Sequence, residues 1–196
     1  MKPYVILMLI FLASPFCVNA QTITPESQFK QVQIMLSKAD NLSGDFKQIQ
    51  KIKILSTPLI STGHFFLSKK KGLQWHQTAP FKSRLIVTTS KIEQQLENQP
   101  SNIITKEQQP IIFSFTNIFL SVFKGETATI QEYFAISFHG NTAQWSIVLK
   151  PLGSPLNKAI NSIEISGNKY IHSITIDEAK NNKMIISLYN VKEQQK

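Results

Sequence analysis

The sequence has little of three residue types that many functional classes depend on. It contains one cysteine, one arginine and seven glycines. A single cysteine excludes a disulfide framework and a Cys-based zinc site. The lone Arg84 argues against nucleic-acid binding, because nucleic-acid readers use arginine heavily for base contacts. After residue 20, no stretch is long and apolar enough to span a bilayer as a helix.

The remaining composition is that of a folded, basic protein. The chain has 196 residues, of which 42% are hydrophobic and 17% charged, so it can bury a core. Its 21 Lys and Arg against 12 Asp and Glu give a formal net charge of +9. Because the lysines are spread along the chain, attraction to anionic lipid headgroups is the better functional interpretation. A surface that serves only solubility is the alternative.

Residues 1–20 have the organisation of a secretory signal peptide. Lys2 supplies the positive start, residues 4–13 are apolar, and Val18-Asn19-Ala20 fits a cleavage site. Cys17 is preceded by Phe16, where a lipoprotein signal needs a small residue, so we expect it to leave with the signal. The predicted product is a periplasmic protein with one domain, residues 21–196. An uncleaved anchor is the alternative.

The first part of this domain combines one helix with alternating strands. Thr24-Pro25-Glu26 is a typical helix start, and Phe29, Val32 and Leu36 follow on one helical face. Residues 41–44 are predicted to end the helix. A period of two then predicts a strand from Phe46 to Ile54, and further strands around residues 65–67, 73–75 and 85–87. Residues 90–109 are polar and allow no assignment.

The last third of the chain returns to strands after a short helical stretch at residues 130–134. Strands are predicted at 135–139, 144–150, 162–166, 171–176 and 184–191, mostly with short polar connections. Short connections favour antiparallel neighbours. The fold class is therefore α+β, with one large antiparallel sheet.

Residues 110–123 form a Phe-rich segment without any charge. Phe115, Ile118, Phe119 and Phe123 fit one helical face, and other apolar residues lie on further sides. Such a helix either packs between two partners or covers an apolar ligand.

The sequence offers no constellation for catalysis. The four histidines are scattered without metal-ligand spacing, and no nucleophile elbow, zinc-protease motif or P-loop occurs. We expect no catalytic residue, no metal and no cofactor, so the protein is not predicted to be an enzyme. A hydrolase would need a dyad that the sequence does not reveal.

Several motifs together resemble the LolA-like periplasmic lipoprotein carriers. They occur in the family's order and span most of the chain after the signal. They are Ser43-Gly44-Asp45-Phe46-Lys47-Gln48, Gly63-His64-Phe65, Leu73-Gln74-Trp75, Ala79-Pro80, Leu85-Ile86-Val87, residues 145–151 and residues 185–191.

The resemblance implies an unclosed antiparallel β-barrel wrapped around the N-terminal helix, with short lid helices over an apolar cavity for acyl chains. Residues 110–123 would take the lid position. Lys69 and Arg84 are candidates for contact with the lid or a headgroup. The implied cavity residues are Val32, Leu36, Phe65, Leu67, Leu73, Trp75, Leu85, Val87, Phe115, Ile118, Phe119, Phe123, Trp145 and Ile147.

The implied function is transport of lipoproteins, or of related lipids, from the inner towards the outer membrane. The implied partners are an acylated lipoprotein or another acyl lipid, an inner-membrane exporter and an outer-membrane acceptor, with the carrier a monomer. Lys69 stands where the family usually has arginine, and the C-terminal extension is missing, which indicates a divergent branch. The alternatives are an accessory carrier of non-lipoprotein lipids and a lipid-sensing regulator of the envelope.

Overall fold

The computed structural model describes residues 24–88, 90–105, 108, 120–121 and 126–194. The predicted signal peptide lies outside these residues. So do the four candidate lid residues Phe115, Ile118, Phe119 and Phe123. In the described part of the chain, no helix has the length and apolar character needed to cross a membrane.

Two α-helices, one 3-10 turn and eleven strands make up the described structure. The helices are α1 (Pro25–Leu36) and α2 (Thr127–Gln131), and the 3-10 turn is Leu156–Lys158. The strands are β1 (Asn41–Lys51), β2 (Leu59–Ser68), β3 (Gly72–Ala79), β4 (Ser83–Val87), β5 (Ile92–Leu96), β6 (Asn102–Ile104), β7 (Phe134–Asn141), β8 (Gln144–Pro151), β9 (Ile160–Gly167), β10 (Ile171–Glu178) and β11 (Lys183–Glu193).

All eleven strands form a single antiparallel sheet. Its order is β6-β5-β4-β3-β2-β1-β11-β10-β9-β8-β7. The terminal strands β1 and β11 therefore meet in the middle, with Phe46 opposite Leu188. The end strands β6 and β7 are not neighbours in this order, so the sheet is an unclosed barrel. The predicted α+β half-barrel is confirmed.

Helix α1 begins where the capping residues predict and packs on the sheet through one face. The side chain of Thr24 accepts a hydrogen bond from the Ser27 N–H at 3.3 Å. Pro25 has no backbone N–H that would need a partner in the first turn. Val32 and Leu36 are buried. The Phe29 ring lies 5.3 Å from that of Phe138 in β7. The apolar stripe thus covers the β7 end of the sheet.

Two local predictions were wrong, and one stretch without an assignment proved to be structured. Residues 41–44 already belong to β1, because Leu42 pairs with Leu67 and is buried in the core. The helix predicted at 130–134 ends at Gln131, and Phe134 starts β7 opposite Pro151. The unassigned stretch 90–109 contains the hairpin β5–β6, whose polar residues 93–95 conceal the alternation.

The antiparallel order places the connections at two rims. The upper rim consists of residues 52–58, 80–82, 97–101, 132–133, 152–159 and 179–182, with the strand residues next to them. The lower rim consists of residues 69–71, 88, 90–91, 142–143 and 168–170. Lys69 N–H donates to Asp40 O at 3.0 Å, so the connection from α1 to β1 also lies at the lower rim.

Candidate functional site

The inner face of strands β1–β6, here called the β1–β6 wall, carries the candidate site. Its lowest row, nearest the lower rim, follows directly from the pairing register. Every side chain in this row is apolar and most are buried. The row consists of Leu42, Leu67, Leu73, Val87, Ile92 and Ile104.

The next row up contains the aromatic residues of the wall. Phe65 lies opposite Trp75, which lies opposite Leu85. Phe65 is buried, while Trp75 and Leu85 are only half-buried. Gly44 faces Phe65 from β1, and a Cβ there would lie 2.8 Å from the Phe65 Cε1 atom. The missing side chain therefore leaves space for the Phe65 ring.

Trp75 also stacks on Phe46, with ring centroids 3.7 Å apart and an interplanar angle of 22°. Phe46 lies opposite Gly63 in β2. At Gly63 the backbone of β3 approaches so closely that a Cβ would lie 2.0 Å from the His76 carbonyl oxygen. Gly63 is therefore required by the bulge in the β2–β3 pairing, and it leaves room above the wall for the stacked rings.

Polarity rises along the wall towards the upper rim. Gln94 lies opposite Leu85, and Gln48 lies opposite Ser61. Gln50 and Gln77 continue the polar set on their strands. All four glutamines are half-buried. The wall is thus apolar and buried below and more open above, where glutamines lie together with the exposed Leu59 and Leu96.

The β7–β11 half of the inner face differs from this wall. Its apolar rows run across all five strands, for example Ile147, Ile165 and Ile174. Leu149 and Ile163 continue the pattern nearer the upper rim, and both are buried. The Trp145 ring is buried as well, and its Nε1–H donates to the Asn168 carbonyl oxygen at 2.7 Å. This half is a hydrophobic core covered by α1.

The predicted cavity residues that the structure describes all lie on the inner face or on the buried face of α1. Phe65, Leu67, Leu73, Trp75, Leu85 and Val87 belong to the β1–β6 wall. Val32 and Leu36 lie on α1, and Trp145 and Ile147 lie in the β7–β11 half. Their role in ligand binding stays a prediction.

The two basic candidates occupy different environments. The Lys69 ammonium donates to the Ser37 carbonyl oxygen and to Asp40 Oδ1, and it lies beside Leu120 in a small hollow at the lower rim. Leu120 belongs to the predicted lid segment, so Lys69 is near that segment. Arg84 is on the outer face, with its Nη2 3.4 Å from Glu93 Oε1. Arg84 therefore faces away from the interior.

The outer face brings together polar residues that are distant in sequence. His64 lies opposite both Asp45 and His76, and its Nδ1 shares a 2.6 Å hydrogen bond with Asp45 Oδ1. Asn190 Nδ2 donates to Asp45 Oδ2 at 2.7 Å. The hydrogen bond from Asn190, and then that with His64, lowers the pKa of Asp45. Within the described ranges, no group of three or more His, Cys, Asp or Glu side chains could hold a metal ion.

Sequence reasoning missed several residues of the wall. Phe46 was visible in the alternating pattern of β1 but was not assigned to the cavity, and Leu42 lies among the residues that were predicted to end the helix. Ile92 and Gln94 lie in the stretch that allowed no assignment. The glutamines gave no signal of their own, because a polar residue at an alternating position fits the outer face equally well.

With the geometry known, a family model provides the class of this protein. Residues 37–196 match the model of the outer membrane lipoprotein carrier protein LolA. The chain belongs to this family. No curated protein sequence matches it.

Two of the solved structures that resemble the chain illustrate this. One is a domain described as an outer membrane lipoprotein-sorting protein from Vibrio parahaemolyticus, with 9% identity and a TM-score of 0.50 over 88% of this chain and 94% of that one. The other is a LolA superfamily protein from Nitrosomonas europaea, with 6% identity and a TM-score of 0.49 over 89% and 96%. The first likeness supports the fold alone.

Proposed function

We propose that this protein is a periplasmic carrier that shields acyl chains against the β1–β6 wall. It would move lipoproteins, or related lipids, from the inner towards the outer membrane. The observation that carries this proposal is the wall itself. It presents a continuous apolar surface, and its upper part is left half-buried by the described residues. Membership of the LolA family supports the same conclusion.

The physical need for such a carrier follows from hydrocarbon hydration. Exposure of an acyl chain to water costs about 0.8 kcal/mol per CH₂, so a lipid anchor does not cross an aqueous compartment unaided. A carrier must cover the chain and still release it. Broad aromatic and aliphatic surfaces such as Phe65, Trp75 and Leu85 achieve this without directional bonds.

The gradient along the wall supports one orientation of the ligand. The hydrocarbon would lie against the half-buried Trp75 and Leu85 and extend towards the apolar lower rows of Leu73 and Val87. The polar end of the ligand would lie near Gln48, Gln77 and Gln94, whose side-chain N–H groups can donate to ester or phosphate oxygens. In this arrangement the polar end lies nearest the upper rim.

The remaining partners follow from this role. The carrier would be one domain from residue 21 after signal cleavage near Ala20, would act as a monomer, and would receive cargo from an inner-membrane exporter and pass it to an outer-membrane acceptor. Residues 110–123 would cover the cargo as a lid. No catalytic step is part of the proposal.

Native mass spectrometry of the protein purified from the periplasm tests this function. A co-purified acyl lipid or acylated lipoprotein, released on unfolding, is the expected result. The mass of the species then separates a lipoprotein cargo from a free lipid. A ligand-free mass at all loading conditions, together with no binding of a fluorescent fatty acid, would contradict the carrier function.

A further inference from the structure

We propose that the upper rim, centred on the β1–β2 tip (residues 51–60), docks this protein on the surface of a membrane rich in anionic phospholipids. The rim meets the β1–β6 wall at the wall's uppermost row, where Leu59 lies opposite Gln50 and Leu96 lies opposite Ser83. The proposal goes beyond transport, because it concerns where the protein lands and does not depend on what the wall binds.

The first observation is the position of the exposed apolar side chains. Eight of the eleven large hydrophobic residues exposed in the described part of the chain lie at the upper rim. Ile54 is 89% exposed and Leu152 is 61% exposed. The full set is Ile54, Leu55, Leu59, Ile60, Phe81, Leu96, Tyr133 and Leu152. Such a concentration marks an interaction surface.

The second observation is charge at the same place. The β1–β2 tip contains Lys51 and Lys53 and no acidic residue, and the other connections of the upper rim carry Lys82, Lys158 and Lys180 beside Glu97, Glu132 and Glu178. Lys51 lies directly opposite Lys183 in β11, which is paired with Asp177 at 3.2 Å. Lys51 and Lys53 themselves form no ion pair with any described residue. Unpaired lysines around apolar tips are complementary to anionic headgroups above a hydrocarbon layer.

The third observation is that the tip is held in place. The Lys53 N–H donates to Oδ1 of Asn182, which lies in the β10–β11 turn, at 3.0 Å. Within the tip, the Leu55 N–H donates to the Ile52 carbonyl oxygen at 2.9 Å. These bonds hold the tip against the neighbouring turn. Ile54 and Leu55 therefore stay exposed in water instead of folding back onto the sheet.

The arrangement favours a lipid surface over a protein groove. The apolar residues are on separate tips, with Phe81 beside Lys82 on the β3–β4 turn and Leu152 after β8. Separate tips along one rim can each enter a fluid layer, whereas a protein partner would need a matching pocket for each of them. The lower rim provides the contrast: it carries Lys70 and Lys71, but no large exposed hydrophobic among the described residues.

The test is co-sedimentation with vesicles of phosphatidylglycerol and phosphatidylethanolamine, and with vesicles of phosphatidylcholine alone. We expect the chain from Gln21 to bind the anionic vesicles at least tenfold more tightly. Lys51→Glu/Lys53→Glu and Ile54→Ser/Leu55→Ser should each weaken this binding about tenfold. Lys70→Glu/Lys71→Glu makes the same charge change at the lower rim and should weaken it less than threefold. Far-UV circular dichroism verifies that each variant is folded.

A site-specific label shows which rim contacts the vesicle. The only cysteine is Cys17, so Thr57→Cys in the chain from Gln21 accepts a single environment-sensitive dye. Its fluorescence should rise at least twofold on anionic vesicles, whereas the same dye at Lys71→Cys should not respond. Equal responses at the two rims, equal losses for the two charge variants, or no vesicle binding would overturn the proposal. Specific capture of a protein by the rim without vesicle binding would overturn it as well.

Discussion

The two halves of the inner face are built from the same antiparallel sheet, yet they serve different purposes. In the β7–β11 half, apolar side chains fill the inward positions, most of them isoleucine or leucine, and α1 packs against β7. In the β1–β6 wall, the apolar rows end at Trp75 and Leu85, and glutamines follow above. The comparison shows that one antiparallel sheet can carry a buried core in one half and, in the other, a face whose upper part is only half-buried.

The largest loss of stability is expected for a substitution in the β7–β11 half. Leu149 has 0% exposure, so Leu149→Ala should lower the free energy of unfolding by about 2–5 kcal/mol. Urea unfolding monitored by circular dichroism measures this change. Val148→Ala, one residue away on the outer face, should cost less than about 1.5 kcal/mol. A small cost at Leu149 would show that this half is not the stabilising core.

A polar substitution in the wall should affect binding instead of stability. Leu85→Gln places an amide on the half-buried aromatic row and should weaken binding of a fluorescent fatty acid about tenfold, because a favourable apolar contact is lost. Its unfolding free energy should fall by about 1 kcal/mol or less. Ile86→Gln, the neighbour that faces outward, is the control and should leave the affinity within twofold. Unchanged affinity for Leu85→Gln would argue against a ligand on the wall.

Replacing a glutamine of the wall with leucine tests where the apolar part of the wall ends. Gln94 lies directly opposite Leu85, so Gln94→Leu extends the apolar surface by one position. Affinity for a long-chain fatty acid should rise about threefold, since roughly one more CH₂ is covered. Competition binding with acids of increasing chain length measures it. Weaker binding would mean that the hydrocarbon does not reach this row.

The smallest effect, a pH-dependent change in stability, is expected where β1 of one half pairs with β11 of the other. Asp45 in β1 accepts from Asn190 in β11, and its pKa is lowered from 3.8 by that bond first and by His64 second. A carboxyl whose pKa is lower in the folded state adds stability above the unfolded pKa and loses it as the pH falls through the folded value.

Asp45→Asn should therefore be less stable than the parent above about pH 5, and the difference should shrink below pH 3.8. Thermal unfolding at a series of pH values measures both proteins. A difference that stays constant across this range would mean that the Asp45 charge does not couple to folding.

Most of the secondary structure could be predicted from local pattern. The helix start at Thr24 and the strands β8 to β11 agree with the structure, because both predictions depend on near neighbours in the chain. The hairpin β5–β6 could not be predicted. Its Glu93 and Gln95 face outward and its Gln94 faces inward, so polarity does not alternate there.

The sequence by itself determined the helix, most strands and the fold class, because periodicity and turn residues are local properties. The motif order of the family was also readable, since it is a pattern along the chain. Only the tertiary structure decided which wall is apolar below and more open above, and which tips gather at one rim. Those features arise from register between strands that are far apart in the chain. A shift of a single residue in the β1–β11 pairing would turn Phe46 and the glutamines to the opposite face.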